Sequence, residues 1–189
     1  SASLKVAVRI RPFTQTELDL DPASCVQTSG EPGKLVTTNQ GRDQRQFLFD
    51  CIYNSCSKAT AEERPLDGQA TLYQDLGPEI LCNSFDGINT CLFAFGQGGS
   101  GKSYSIMGLP NEKDRGLLLR ICDDLFKKLQ QVKAGVVSNV DVSFIELYNE
   151  RVYDLLALSP QQWAKLSKKG FQGEEEGLRI REHPTTGPY

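Results

Sequence analysis

Leu4, Val6, Val8 and Ile10 alternate with Lys5, Ala7, Arg9 and Arg11, so the apolar four share one face of an extended segment. Pro12 closes this first strand, because proline has no N–H to give to a ladder. Residues 14–34 are polar and carry Pro22, Gly30, Pro32 and Gly33, which predicts a loop. Short strands are expected over 35–38 and 46–50, divided by the turn-forming Asn39-Gln40-Gly41. Residues 54–68, with Pro65 and Gly68, read as a second loop. Leu72, Leu76, Ile80 and Leu81 recur at helical spacing and predict a helix over about 70–85. Gly77-Pro78 in its middle predicts a kink or a division into two pieces. Residues 89–95 read as a short apolar strand running into a glycine-rich turn, and 103–107 as the start of a helix. Leu118, Ile121, Cys122, Leu125, Phe126 and Leu129 give 116–131 the clearest amphipathic helical pattern in the chain. Val140, Val142 and Phe144 alternate as a strand leading into Glu146-Leu147-Tyr148, after which Asn149 is placed to cap a short helix through Leu156. Residues 157–177, with Lys168-Lys169 and Glu174-Glu175-Glu176, read as a solvated loop insertion, and 178–181 as a last short strand before Pro184. Strands interleaved with helices predict an α/β fold.

Composition adds exclusions. With 189 residues, 39% of them apolar, the chain has the size of one domain with a sizeable core. A net charge of −3 argues against a general nucleic-acid binder. The longest purely apolar run, Cys91-Leu92-Phe93-Ala94-Phe95, is far short of the ~20 residues of a membrane helix, so no direct membrane contact is expected. The chain begins at Ser1 with no apolar leader, which reads as a processed or trimmed start. Six cysteines stand at 25, 51, 56, 82, 91 and 122 without C-x-x-C spacing, beside a single histidine, His183. That pattern suits reduced thiols of a cytosolic protein better than a zinc site.

The chemistry concentrates at Gly96-Gln97-Gly98-Gly99-Ser100-Gly101-Lys102-Ser103, which fits G-x-x-x-x-G-K-[ST] in full. Glycines at these positions let the backbone turn its N–H groups inward around phosphate oxygens. Gly101 and the helix behind it put a positive dipole end beneath the phosphates. Lys102 supplies a mobile charge for the β and γ oxygens, and the Ser103 hydroxyl a ligand for Mg²⁺. ATP or ADP with Mg²⁺ is therefore the expected cofactor. An acidic residue for the Mg²⁺ shell is less clear. Asp50 after Phe47-Leu48-Phe49, or Glu146 after Val142-Ser143-Phe144-Ile145, has the right form, yet each reads better as a plain strand-end carboxylate.

Three blocks in order resemble kinesin motor domains: Arg9-Ile10-Arg11-Pro12-Phe13, the segment 89–108 around the phosphate loop, and Val142-Ser143-Phe144-Ile145-Glu146-Leu147-Tyr148-Asn149-Glu150-Arg151-Val152-Tyr153-Asp154-Leu155-Leu156. Tyr73-Gln74-Asp75-Leu76-Gly77-Pro78-Glu79 and Leu178-Arg179-Ile180-Arg181-Glu182-His183-Pro184 are similar to the vesicle-transporting kinesins that carry a forkhead-associated domain. The resemblance implies a P-loop NTPase-type central sheet flanked by helices, with 1–189 forming the N-terminal portion of the motor and the sheet incomplete in this chain. It implies that Arg9, Arg11 and Pro12 flank the adenine with Tyr104 near it, and that microtubules are the partner of the intact motor, in the cytoplasm on the cytoskeleton. It further implies that the segment after β-like 142–148, near Pro184-Thr185-Thr186, faces the microtubule; that tip carries no Lys or Arg. Lys165, Lys168 and Lys169 offer charge for acidic tubulin, nearly cancelled by the three adjacent glutamates.

Two departures from the family stand out. Gly98 occupies the position where the family usually has Thr. The switch segments N-x-x-S-S-R-S-H and D-x-A-G-S-E occur nowhere in these 189 residues, so no catalytic residue is identifiable. In a kinesin sheet, strands from the second half of the motor lie between those of the first, so 91–95 is expected to lack ladder partners here. The expected function is the ATP-binding portion of a kinesin-like motor, able by itself to bind nucleotide and no more. The alternatives are a non-catalytic nucleotide- or microtubule-binding module derived from a motor, or a different P-loop ATPase.

Overall fold

The computed structural model describes residues 4–20, 23–28, 33–39, 43–56, 68–132, 135–157, 178, 180–185 and 187–188. The chain divides into two compact units, Ser1–Lys133 and Ala134–Tyr189. In chain order the first contains β1 (Ala7–Ile10), α1 (Gln15–Leu18), β2 (Val26–Thr28), β3 (Lys34–Asn39), β4 (Asp43–Leu48), β5 (Cys51–Asn54), α2 (Gln69–Phe85), α3 (Lys102–Ile106) and α4 (Leu117–Gln130). β1 and β5 pair in parallel, with Ala7 opposite Cys51 and Ile10 opposite Asn54. β2, β3 and β4 form a separate antiparallel sheet in that order.

The loop expected over 14–34 contains a helical turn and a strand. The polar residues that suggested a loop are those a reciprocal cap uses. Thr14 Oγ1 accepts from the Glu17 N–H at 3.3 Å, and the Glu17 carboxylate accepts from the Thr14 N–H at 2.7 Å. The strand expected over 46–50 begins earlier and stops sooner, as β4 over Asp43–Leu48, and β5 over Cys51–Asn54 was not expected. Asp50 between them takes the Val6 N–H at 2.7 Å, fixing the entry into the parallel pair.

α2 runs unbroken through Pro78, so of the kink or division expected at Gly77-Pro78 the division does not occur. Leu72 and Leu81, buried on either side of the proline, hold both halves to the interior. Gly77 permits a close approach, since a Cβ there would collide with the Tyr73 ring. The core joins β5, α2 and α4 through Tyr53, Leu72 and Leu117, with Cys51, Tyr73 and Leu76 packed against them. The buried Tyr53 and the half-buried Tyr73 finish the contact in hydrogen bonds, to Asp75 and Asp124. Burial first, and then the Asp124 carboxylate, pushes the Tyr73 hydroxyl up to about 12.

Residues 89–95, expected as a short apolar strand, form no strand, and among the described residues none pairs with them. Phe93 is 73% exposed and Phe95 92%. A strand is a property of a ladder, and no described strand offers one to 89–95.

The second unit has the same feature at 136–144, where the strand expected at Val140, Val142 and Phe144 is absent. β6 (Ile145–Tyr148) and β7 (Arg151–Asp154) instead form an antiparallel hairpin, extended by a Leu155 N–H to Phe144 carbonyl bond of 2.8 Å. This replaces the helix expected through Leu156. Asn149 and Glu150 take φ of 49° and 61°, the two left-handed positions of a type I′ turn, so Asn149 serves a turn and caps nothing. The strand expected over 178–181 reduces to one bridge, Leu178 to Val152, before β8 (Glu182–His183) pairs with β9 (Gly187–Pro188). Most of the expected insertion, 158–177 with Lys165, Lys168, Lys169 and the glutamate run, lies outside the described residues, as do 57–67 and Thr186. Among the described residues no helix is long and apolar enough to cross a membrane.

Candidate phosphate and base site

The glycine-rich segment turns sharply between 95 and α3. Gly96, Gly99 and Gly101 take φ of 148°, 77° and 94°, and the Ser100 N–H bonds the Gln97 carbonyl at 3.1 Å. Gly101 directly precedes α3 in the left-handed region, where a side chain would be strained. The space a Cβ would occupy at Gly98, Gly99 and Gly101 is open. Lys102 folds back over the loop, its Nζ donating to the Gly96 and Gln97 carbonyls at 2.9 Å each. Ser103 is exposed on the next residue of α3. The loop therefore offers backbone amides, a surface ammonium and a hydroxyl around open space, which fits a polyphosphate with its divalent ion. Gly98 adds no hydroxyl, and nothing lies within 4 Å of its ideal Cβ.

Arg9 and Tyr104 meet in the structure. The Arg9 guanidinium lies 5.1 Å from the centroid of the Tyr104 ring, a cation–π contact. Its nitrogens also donate to Ser55 Oγ at 3.2 Å, Gln69 Oε1 at 2.9 Å and Ser105 Oγ at 3.0 Å. The Tyr104 hydroxyl donates to Asp114 Oδ1 at 2.9 Å. Burial, and then Asp114, raises the Tyr104 hydroxyl above its ordinary range, while Arg9 opposes the shift. The same hydrogen bond holds the Asp114 carboxyl below the usual range.

Arg11 goes elsewhere. It grips the Glu17 carboxylate with two nitrogens at 2.7 and 2.6 Å and bonds the Pro12 carbonyl at 2.8 Å. The Arg11 guanidinium, and then the Thr14 N–H, lowers the Glu17 carboxyl to about 2. The structure thus ties Arg11 to α1, while Arg9 joins α3. Of the two candidate metal-shell acids, Asp50 spends its carboxylate on the Val6 N–H, and Glu146 stands on β6 opposite Tyr153.

Sequence reasoning missed Gln69 and Asp114. Gln69 is 2% exposed, and its Nε2 donates to the carbonyls of Tyr104 at 2.6 Å and Asp114 at 3.2 Å. Its signal was positional, since Gln69, Leu72 and Leu76 fall on one helical stripe and a polar residue there is buried.

The kinesin motor domain family model matches residues 9–189. The chain belongs to the kinesin motor domain family. This kinesin chain is 37% identical to human kinesin-like protein KIF1C and 38% identical to rat kinesin-like protein KIF1A, all of it aligned in each case. It spans only 16% and 10% of those two proteins. Among solved structures it is similar to KIF14 with ADP in complex with a microtubule, at 34% identity and TM-score 0.72 over 99% of this chain and 48% of that one. A KIF14 dimer with AMP-PNP on a microtubule superposes at TM-score 0.78 and 35% identity, over 100% of this chain and 48% of that one.

Proposed function

We propose that this chain is the ATP-binding portion of a kinesin-type microtubule motor, and that residues 1–189 form the N-terminal part of the motor domain. The observation that carries the reading is that α3 joins the two halves of one site. Lys102 and Ser103 stand at the open glycine loop, and Tyr104 and Ser105 hold Arg9 on the other side. In this reading the amides of 96–101 and Lys102 bind the β and γ phosphates, and the Ser103 hydroxyl ligates Mg²⁺. Arg9 and Tyr104 hold the adenine edge with Pro12 beside them, and Arg11 acts by fixing the segment that follows β1 through Glu17. Bound Mg²⁺ supplies charge neutralisation at the phosphates.

The whole protein, in this reading, hydrolyses ATP and moves along microtubules, as part of the cytoskeleton in the cytoplasm. The 189-residue segment holds nucleotide without turning it over. What supports this division is that phosphoryl transfer is nearly all positioning and electrostatics, and neither switch segment of the family occurs in the sequence. The exposed aromatic residues at 93 and 95 support a motor sheet completed by further strands. Titrating ATP with and without Mg²⁺ tests the site. The parent is expected to bind MgATP more tightly than free ATP, with Ser103→Ala erasing most of that difference. A Ser103→Ala variant that keeps the full Mg²⁺ effect would overturn the assignment.

A further inference from the structure

Gln69 opens α2, yet its side chain reaches three other parts of the first unit at once. Its Oε1 accepts from Arg9 on β1 at 2.9 Å, and its Nε2 donates to Tyr104 on α3 at 2.6 Å and to Asp114 at 3.2 Å. The first bond sets the guanidinium. The second sets the backbone that carries the aromatic ring beneath it. The third sets Asp114, whose carboxylate takes the Tyr104 hydroxyl at 2.9 Å. Only a primary amide can accept from a cation and donate to two carbonyls; a carboxylate cannot donate and an ammonium cannot accept.

We infer that Gln69 is the positioning residue of the base edge: its buried amide locks the Arg9 guanidinium over the Tyr104 ring, so that a purine base meets a pair already oriented. This rests on the reading of Arg9 and Tyr104 as the base edge given above. Arg9 has a long, rotamer-rich side chain. Holding it in place before binding removes an ordering cost that the ligand would otherwise bear. The effect is therefore confined to ligands that carry a base. Phosphate binding by the loop is independent of it, because none of the Gln69 bonds reaches 96–102.

The test uses the intact protein and two probes, ATP and inorganic tripolyphosphate, titrated against the parent, Gln69→Met, Arg9→Ala and the double variant. Gln69→Met keeps the volume and loses every polar bond. It is expected to lower ATP affinity roughly tenfold, the lower end for a lost hydrogen bond to a charged group, and to leave tripolyphosphate affinity unchanged. The double variant should lose no more ATP affinity than Arg9→Ala alone, because both changes remove one unit. Gln69→Asn, one methylene shorter, makes the same comparison if Gln69→Met does not fold. Equal losses for both probes, or full additivity with Arg9→Ala, would overturn the inference and leave Gln69 a structural residue. A parent that binds ATP no better than tripolyphosphate would overturn the base-edge reading itself.

Discussion

Lys102→Ala removes one ammonium from the surface of the glycine loop. In the parent this group makes two hydrogen bonds of 2.9 Å, to the Gly96 and Gln97 carbonyls. Both are exposed, so they trade against water, and their loss costs the fold about 1 kcal/mol. For a chain of this length that is a fall in melting temperature of about 2–4 °C. In the proposed site the same ammonium would make charge-assisted bonds to a bound triphosphate, whose loss costs about 1.5–3 kcal/mol. ATP affinity should then fall about ten- to a hundredfold, at 1.4 kcal/mol per factor of ten. Calorimetric titration with ATP, beside a thermal melt of each protein, separates the two effects. The expected pattern is a nearly unchanged fold with a large loss of binding, weaker in high salt. A folded Lys102→Ala protein that binds ATP as tightly as the parent would refute the phosphate cradle.

Two other expectations are structural. The Arg11–Glu17 pair holds the Glu17 carboxyl near 2, below its ordinary value of 4.5, so its contribution to stability is present above pH 4.5 and is lost as pH falls toward 2; the melting-temperature gap between parent and Glu17→Gln should close across that window. Glu150 sits at φ 61° in the β6–β7 turn, where a left-handed non-glycine residue costs roughly 1–2 kcal/mol; Glu150→Gly should give back about half of that as a higher urea midpoint, and a lower midpoint would contradict the type I′ turn.

The candidate phosphate loop was legible because its motif is local. Eight consecutive residues carry the glycines, the lysine and the serine that a polyphosphate requires, and the fold need only leave them open. The Arg9–Tyr104 contact, between residues 95 positions apart, was legible through the family resemblance alone. Gln69 escaped notice because a glutamine at the start of a helix ordinarily faces water; its burial is set by β1 and α3, which periodicity does not register. The turn at Asn149-Glu150 was misread because asparagine suits both a helix cap and a left-handed turn, and the pairing of β6 with β7 decides between them. Residues 89–95 teach the converse. A strand was expected there and none forms, because a ladder needs a partner and no described strand pairs with 89–95, where Phe93 and Phe95 are exposed. α2 survived Pro78 because packing at Leu72 and Leu81 outweighs one missing backbone bond.

The measurement that bears most directly on the central claim is phosphate release by the purified 189-residue chain, followed with and without microtubules, alongside ATP titration of the same sample. Mg²⁺-dependent ATP binding with no microtubule-stimulated turnover is the predicted result. A well-folded 189-residue chain whose ATP turnover rises with microtubules would contradict it, since hydrolysis would then proceed without the switch segments and without the further strands proposed to cover 89–95.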